Sequence, residues 1–120
     1  MHEPPRSLSL SEWPEADCRA WQEACRPGLR LKRGGLASHL GAISREDYEH
    51  RYGAFLGFLR RANRFRADAA AAGQVTSVNI DAYLADLKSR VSSVTAYNCI
   101  SKLRRVACLI APGADFGWLS

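Results

Sequence analysis

The chain has no apolar run close to the ~20 residues that cross a bilayer, and its first residues lack the apolar core of a secretory signal. We therefore expect a cytoplasmic protein with no membrane partner. The four cysteines form neither a C-x-x-C pair nor a zinc-ribbon spacing, and the three histidines lie far apart. The sequence predicts no metal site and no cofactor, and most of the cysteines are expected to be small buried side chains.

Residue patterns for catalysis are missing as well. The sequence contains no carboxylate pair, no nucleophile spaced from a base and no glycine-rich phosphate loop. These absences argue against an enzyme and against a small-molecule substrate. A chain of 120 residues, 47% hydrophobic and 24% charged, fits one globular domain with a single core.

The net charge of +5 is unevenly distributed along the chain. Residues 1–25 carry −3, residues 26–66 carry +7, residues 67–86 carry −3 and residues 87–120 carry +4. Two basic segments that frame an acidic one are able to form a positive face, which would attract a polyanion such as DNA. Solubility is the alternative explanation of a modest positive charge.

Helical periodicity without a strand pattern predicts an all-α fold, a compact bundle of four principal helices. We expect the helices at Glu12–Cys25 with Ser11 as cap, at residues 45–63 after a capping box at Ser44, at residues 77–88 after a Thr76 cap, and at Val94–Ile110. Residues 1–10 are expected to form a flexible tail and residues 11–112 the helical domain. Within that domain residues 26–43 are expected to be a flexible basic arm, and residues 113–120 begin a linker.

The segment from Ser92 to Pro112 separates into two chemically different helical faces. One face is an apolar stripe, expected to be buried: Ala96, Cys99, Ile100, Leu103, Val106, Ala107 and Ile110. The other face carries short hydrogen-bonding groups and two cations: Thr95, Asn98, Ser101, Lys102 and Arg105. Such a face is able to reach base edges and phosphates in a DNA groove. An ordinary solvated helix face is the alternative, and both remain open.

The helix over residues 45–63 has a similar division. Its buried stripe is expected to be Tyr48, Tyr52, Phe55, Leu56 and Leu59. Its opposite face holds two glycines among polar and basic residues: His50, Gly53, Gly57, Arg60, Arg61 and Arg64. Glycines on a polar helix face indicate a close approach, either by a neighbouring helix or by a DNA backbone.

Three motifs in a fixed order resemble the N-terminal core-binding domain of tyrosine recombinases (phage-type integrases). They are Y-x-x-F-L-x-F-L at residues 52–59, V-T-x-x-x-I-x-A-Y-L-A-x-L at residues 75–87, and S-S-V-T-x-Y-x-x-I-x-K-L-R-R at residues 92–105. The closing A-P-G-x-D-F-x-W-L is similar to the junction that precedes the linker to the catalytic domain in some bacterial members.

The resemblance implies a SAM-like bundle that forms half of a C-shaped clamp around DNA, with the helices over residues 45–63 and 94–110 at the major groove. Carried over to this chain, it implies groove or phosphate contacts by Thr95, Asn98, Lys102 and Arg105. Either Ser92 or Ser93 is able to cap this helix. The resemblance implies that Ser93 is the cap and a phosphate donor, and that Arg60, Arg61 and Arg64 contact the backbone. We add Ser101 from the polar helix face, and Lys88 and Arg90 as cations just before that helix.

The family's catalytic domain, with its tyrosine nucleophile, has no counterpart in these residues, and no arginine–histidine cluster surrounds Tyr48, Tyr52, Tyr83 or Tyr97. We therefore expect a module that binds double-stranded DNA at the nucleoid and is not itself an enzyme. The alternative is a protein-interaction module that docks on a full-length recombinase or on its own copies, through the acidic first helix and residues 116–119.

Overall fold

The computed structural model describes residues 7–28 and 34–119, which form helices and turns with no strand among them. A short 3-10 helix, Leu10–Glu12, precedes four α-helices: α1 Glu15–Ala24, α2 Ala42–Arg61, α3 Ser77–Lys88 and α4 Ser93–Ile110. The prediction of an all-α bundle of four principal helices is confirmed. Helix α4 packs against the other three helices, so it occupies the centre of the bundle.

The apolar stripe of α4 lies in the core as the sequence predicted. All seven of its residues are buried, and four of them have no exposed surface: Ala96, Leu103, Val106 and Ala107. The helix begins at a serine cap, because Ser92 Oγ accepts the Thr95 N–H at 3.2 Å. It ends at Ile110, since the proline two residues later cannot continue the helical hydrogen bonds.

A chain of aromatic contacts joins the other helices across the core. The ring centroids of Trp13 and Tyr52 lie 4.9 Å apart, and those of Tyr52 and Phe55 lie 6.2 Å apart. Phe55 and Phe58 of α2 each lie 5.3 Å from Tyr83 of α3. Because tilted and edge-to-face pairs contribute about 0.5–1.5 kcal/mol each beyond area burial, these contacts help to fix α2 against α3.

The first helix begins later than predicted. Instead of a Ser11 cap, the chain makes the 3-10 helix, and Pro14 occupies the N-cap of α1 without a side-chain bond. A proline is tolerated there because the missing N–H would have no helical partner. The Ser11 cap predicted for the first helix is therefore wrong, and the capping box that the structure forms joins Ser9 and Glu12 at the 3-10 helix.

The second helix begins earlier than predicted. The backbone N–H of Arg45 donates to Gly41 O at 2.9 Å, so the helical hydrogen bonds extend back to Gly41, which is the N-cap. Ser44 therefore lies inside the first turn, and the capping box predicted at this residue is wrong. The Thr76 cap of α3 is confirmed, because its side chain accepts the Asn79 N–H at 3.2 Å.

The two glycines of α2 are buried, not on the polar face where the sequence placed them. At Gly53 the close approach comes from the N-terminal segment, because Leu8 N–H donates to Gly53 O at 3.0 Å. A Cβ on Gly53 would lie 2.2 Å from Leu8 O. Leu8 is only 2% exposed, so the predicted flexible tail is wrong for residues 7–10, and residues 1–6 lie outside the described residues.

Part of the predicted basic arm is docked on the end of α1. Gly35 N–H donates to Arg26 O at 2.9 Å, and Ala37 N–H donates to Ala24 O at 2.7 Å. Ala37 has no exposed surface. A flexible arm is therefore the wrong description of residues 34–40, whereas Arg30, Lys32 and Arg33 lie outside the described residues.

The C-terminal segment also packs on the bundle. Phe116 is 7% exposed and Leu119 is 3% exposed. Arg104 of α4 donates through Nε to Phe116 O at 3.2 Å. Residues 113–119, which the sequence predicted as the beginning of a linker, thus contribute side chains to the core.

An aspartate with no exposed surface fixes the loop between α2 and α3. Asp17 Oδ1 accepts the Ala72 N–H at 2.6 Å, and Ala72 itself adopts a left-handed conformation with φ 56°. Burial raises the pKa of Asp17, an effect that the Ala72 N–H and then the Tyr52 hydroxyl oppose. The sequence analysis did not identify this acid, since a single aspartate on a helix carries no periodic signal.

The contact at Gly53 predicts a large cost for Gly53→Ala. The added methyl group would meet Leu8 O, so we expect a loss of about 1–3 kcal/mol in the free energy of unfolding, as for overpacked cores. Urea unfolding followed by circular dichroism measures it. Gly113→Ala is the matched control, because nothing lies within 4 Å of the Cβ position at Gly113. Equal stabilities of the two variants would contradict the packing of Leu8 on α2.

The raised pKa of Asp17 predicts a pH-dependent stability. The unfolded carboxyl loses its proton near pH 4, below the folded one, so the stabilising contribution is complete below that pH and is lost as the pH rises through the folded pKa. Asp17→Asn keeps an acceptor for Ala72 and removes the charge, so we expect a more stable protein at pH 7. Urea titrations between pH 4 and pH 8 measure both effects.

Asp17→Ala is the control for the hydrogen bond itself. It leaves the buried Ala72 N–H without an acceptor, and we expect a loss of about 1–3 kcal/mol at every pH. If Asp17→Asn were destabilised at pH 7 as strongly as Asp17→Ala, the ionised carboxylate would be stabilising and the argument from burial would be wrong.

Candidate nucleic-acid interface

The face of α4 opposite its buried stripe is open to solvent. Val94, Asn98, Ser101 and Arg105 follow each other at spacings of four, three and four residues and are all exposed, Val94 by 72%. Among the described residues, no side chain bonds to Asn98, Ser101 or Arg105. This outer stripe runs about 16 Å along the helix. Its amide, hydroxyl and guanidinium groups are therefore free to bind a ligand.

Lys102 does not share that freedom. Its Nζ donates to Asp47 Oδ2 of α2, and Arg51 Nε lies 3.5 Å from Asp47 Oδ1. Arg51 also donates through Nη1 to Cys99 Sγ at 3.4 Å, so the same cluster ties α2 to α4. The hydrogen bond from Lys102 lowers the pKa of Asp47, and Arg51 adds to this effect. Lys102, expected on the DNA-binding face, therefore has part of its charge neutralised at the edge of that face.

The residues of the first turn of α4 differ in their bonding. The Thr95 hydroxyl lies 3.0 Å from Ser92 Oγ, as part of the helix cap. Ser93 is exposed and is the first helical residue, so the expectation that Ser93 is the cap is wrong. The capping residue is Ser92, because only a residue just outside the helix has the extended backbone, here with ψ 160°, that aims its oxygen at the free N–H groups.

The cations at the end of α2 are divided between paired and unpaired side chains. Arg60 Nη1 lies 3.5 Å from Glu12 Oε2. Arg61 and Arg64 are exposed and have no acidic partner among the described residues. Asn63 has φ 58°, and the N–H of Arg64 donates to Leu59 O at 2.8 Å. This is the Schellman geometry of a helix end, and it fixes the backbone from which Arg64 projects.

The two cations before α4 differ in the same way. Arg90 is bound to Asp86 through Nη2 at 2.7 Å and through Nε at 3.1 Å. Lys88 is exposed without such a partner among residues 7–28 and 34–119. Of the basic residues expected at the interface, Arg60, Arg90 and Lys102 are ion-paired within the protein. The ones that remain unpaired within the described chain are Arg61, Arg64, Lys88 and Arg105.

A groove of about 450 Å³ opens beside the outer stripe. One wall comes from Leu36 and His39 of the segment docked on α1, and Tyr48 of α2 adds a ring. The other wall is α4: Ser101, Lys102, Arg104, Arg105, Cys108 and Leu109. Sequence reasoning missed Leu36 and His39, because their position depends on the docking of residues 34–40, which no local pattern predicts.

Some features of the outer stripe could have been found in the sequence. Val94 lies one helical turn before Asn98, so the same spacing that selected Asn98, Ser101 and Arg105 includes it. An exposed apolar side chain of this kind suits contact with a thymine methyl group. Arg104 belongs to the groove wall and also donates a hydrogen bond to the C-terminal segment, a role that no local pattern predicts.

Two of the tyrosines are unsuited to nucleophilic chemistry. Burial raises the pKa of Tyr52, with Asp17 adding to the effect, and burial is also the main cause of the raised pKa of Tyr83. Both hydroxyls therefore stay protonated at neutral pH. Among the described residues, no three His, Cys, Asp or Glu side chains come together as a metal site, and no helix is long and apolar enough to span a bilayer.

A second, more apolar groove of about 350 Å³ lies between α3 and α4. Ile80, Leu84, Tyr97 and Trp118 are among its lining residues, and Tyr97 and Trp118 are 56% and 48% exposed. Of the C-terminal residues expected to dock on another protein, only Trp118 offers a large apolar surface, since Phe116 and Leu119 are buried.

Comparison of the chain with protein-family models, with curated proteins and with solved structures finds no match in any of the three.

Proposed function

We propose that this chain is a DNA-binding module that contacts duplex DNA through the outer stripe of α4 and the unpaired cations at the end of α2. A role in DNA integration or recombination rests on the resemblance to core-binding domains of tyrosine recombinases. The observation that carries the proposal is the outer stripe itself, where Asn98, Ser101 and Arg105 stand exposed and unbonded within the described chain.

The chemistry of the stripe suits a DNA groove. The major groove is about 12 Å wide and admits one α-helix, while an arginine or asparagine presents paired hydrogen-bonding groups to base edges. Arg61, Arg64 and Lys88 lie outside α4 and suit phosphate oxygens, which position a protein without reading sequence. This division predicts binding dominated by phosphates, with limited base readout.

The affinity of such a module is expected to be low. Few unpaired cations are available, so we expect dissociation constants nearer to the ~10⁻⁴–10⁻⁶ M of non-specific association than to tight site recognition. Binding of this kind, at the nucleoid of the cytoplasm, needs no catalytic group from this chain.

The test is binding to a mixed-sequence duplex across a salt series, measured by fluorescence anisotropy. Replacing the unpaired cations in Arg61→Gln/Arg64→Gln/Arg105→Gln removes up to three phosphate contacts, so the slope of log affinity against log salt is expected to become shallower by about 2–3. The affinity at low salt should fall at least tenfold. No binding by the unchanged protein at low salt would contradict the proposal.

Two variants sharpen this test. Arg19→Gln is the matched control, because Arg19 is exposed on α1, is paired with Glu15 at 2.6 Å and is not one of the proposed DNA contacts. An equal loss with Arg19→Gln would mean that net charge, not this surface, binds DNA. Asp47→Asn removes the charge that Lys102 neutralises, so we expect tighter binding and a slope steeper by about one.

The second candidate function is a protein-interaction module that docks on a recombinase subunit or on copies of itself. The apolar groove between α3 and α4, with Tyr97 and Trp118 half exposed at its edge, favours it. Apolar grooves that accept a partner bury aromatic anchors of this kind.

This candidate predicts that Tyr97→Ala/Trp118→Ala weakens self-association and leaves DNA binding unchanged. Sedimentation over a range of concentrations measures it. Truncation after Pro112 is a poorer test, because it would also remove Phe116 and Leu119 from the core. An unchanged protein that sediments as a monomer at every concentration would exclude association with its own copies.

A further inference from the structure

The 450 Å³ groove beside the outer stripe has features that a duplex backbone leaves unused. Leu36 is 57% exposed at its edge, and the rings of His39 and Tyr48 are part of its lining. Phosphates on the surface of a duplex reach the cations of α4, but they offer nothing to bury an apolar side chain or to lie against a ring. The groove therefore suits a ligand with both a flat apolar part and an anionic part.

The charge of the groove has one sign. Its cationic side chains on α4 are Lys102, Arg104 and Arg105, and no carboxylate is among its lining residues in the described chain. Lys102 is held by Asp47, and Arg104 donates one hydrogen bond to Phe116 O, so Arg105 is the groove cation that has no such partner within residues 7–28 and 34–119. Its volume lies in the range of about 300–1,000 Å³ that small ligands occupy in proteins.

We propose that this groove receives one unpaired nucleotide of the DNA that α4 contacts, with the base against Tyr48 and Leu36 and its phosphate at Arg105. The inference rests on the proposed function. A paired base must lose its pairing as well as its stacking to leave the duplex, whereas an unpaired base leaves the stack at a lower cost and then offers a face to an aromatic ring. Cations beside aromatic side chains are the usual means by which proteins hold single-stranded nucleic acid.

The position of the groove favours a nucleotide over an acidic peptide. Ser101 and Arg105 belong both to the outer stripe and to the groove wall, so a DNA strand lying on the stripe passes the groove entrance. A peptide carboxylate would use the cations but would leave Tyr48 and His39 without a matching flat group. The groove is thus a continuation of the proposed DNA-binding surface, but it prefers an unpaired nucleotide, whereas the outer stripe contacts the paired duplex.

The experiment compares two labelled duplexes that differ by a single unpaired adenine in the middle of one strand. Anisotropy at one fixed salt concentration is expected to show at least about fivefold tighter binding of the bulged duplex, since stacking on one aromatic side chain is worth about that much. Tyr48→Leu keeps apolar volume but removes the ring, so it should abolish the preference and leave binding of the paired duplex unchanged.

A second variant guards against a folding defect at the half-buried Tyr48. Leu36 is exposed, so Leu36→Glu is compatible with the fold and places a negative charge in the groove. It should also remove the preference for the bulge. Replacement of adenine by 2-aminopurine gives a direct signal, because its fluorescence should fall on binding to the unchanged protein and not on binding to Tyr48→Leu.

The outcomes separate the two proposals. Equal affinity for both duplexes, or a preference that survives Tyr48→Leu and Leu36→Glu, would overturn the groove assignment and leave duplex binding standing. No binding of either duplex would overturn both. Displacement of the bulged duplex by a polyglutamate peptide, with the same dependence on Tyr48, would reassign the groove to an acidic protein segment.

Discussion

Burial of the apolar stripe of α4, on the side of the helix opposite the outer stripe, is the constraint on which the rest of the structure depends. Helix α4 contacts α1, α2 and α3, and residues such as Leu103 and Val106 have no exposed surface. A helix that is anchored along one side has no rotational freedom about its axis, because any rotation would expose apolar area worth about 25 cal/mol per Å². The direction of Asn98, Ser101 and Arg105 is therefore set by packing on the opposite side of the same helix.

The local sequence patterns predicted much of the helical structure. The seven inner residues of α4, the Thr76 cap and the end of α3 at Lys88 were all read from periodicity and capping. Interactions between distant segments were not predicted. Three hydrogen bonds join residues far apart in sequence: Leu8 to Gly53, Ala72 to Asp17 and Ala37 to Ala24. Each is donated by a backbone N–H group, which leaves no signature in the spacing of side chains.

The candidate site shows the same division. Sequence reasoning selected the polar face of α4, because a helix face follows from spacing alone. It was unable to say which cations have partners. Lys102 and Arg60 look like Arg105 and Arg64 in the sequence, yet they meet Asp47 and Glu12 in the fold. The pair of Arg90 with Asp86 is different, because a spacing of four residues is a local signal. A carboxylate beside a surface cation reduces the positive charge that the cation presents to a ligand. For ion pairs between distant segments, only the tertiary structure shows this effect.

The hydrogen bond from Ala72 to Asp17 has a consequence for how the molecule opens. Loops between helices ordinarily exchange their amide hydrogens through small local fluctuations. Here the amide of Ala72 is bonded to a fully buried side chain of α1, a partner 55 positions away in sequence. Its release would leave the buried carboxyl group of Asp17 without its donor, so this connecting loop opens at a higher free-energy cost than a loop whose amides bond only to water.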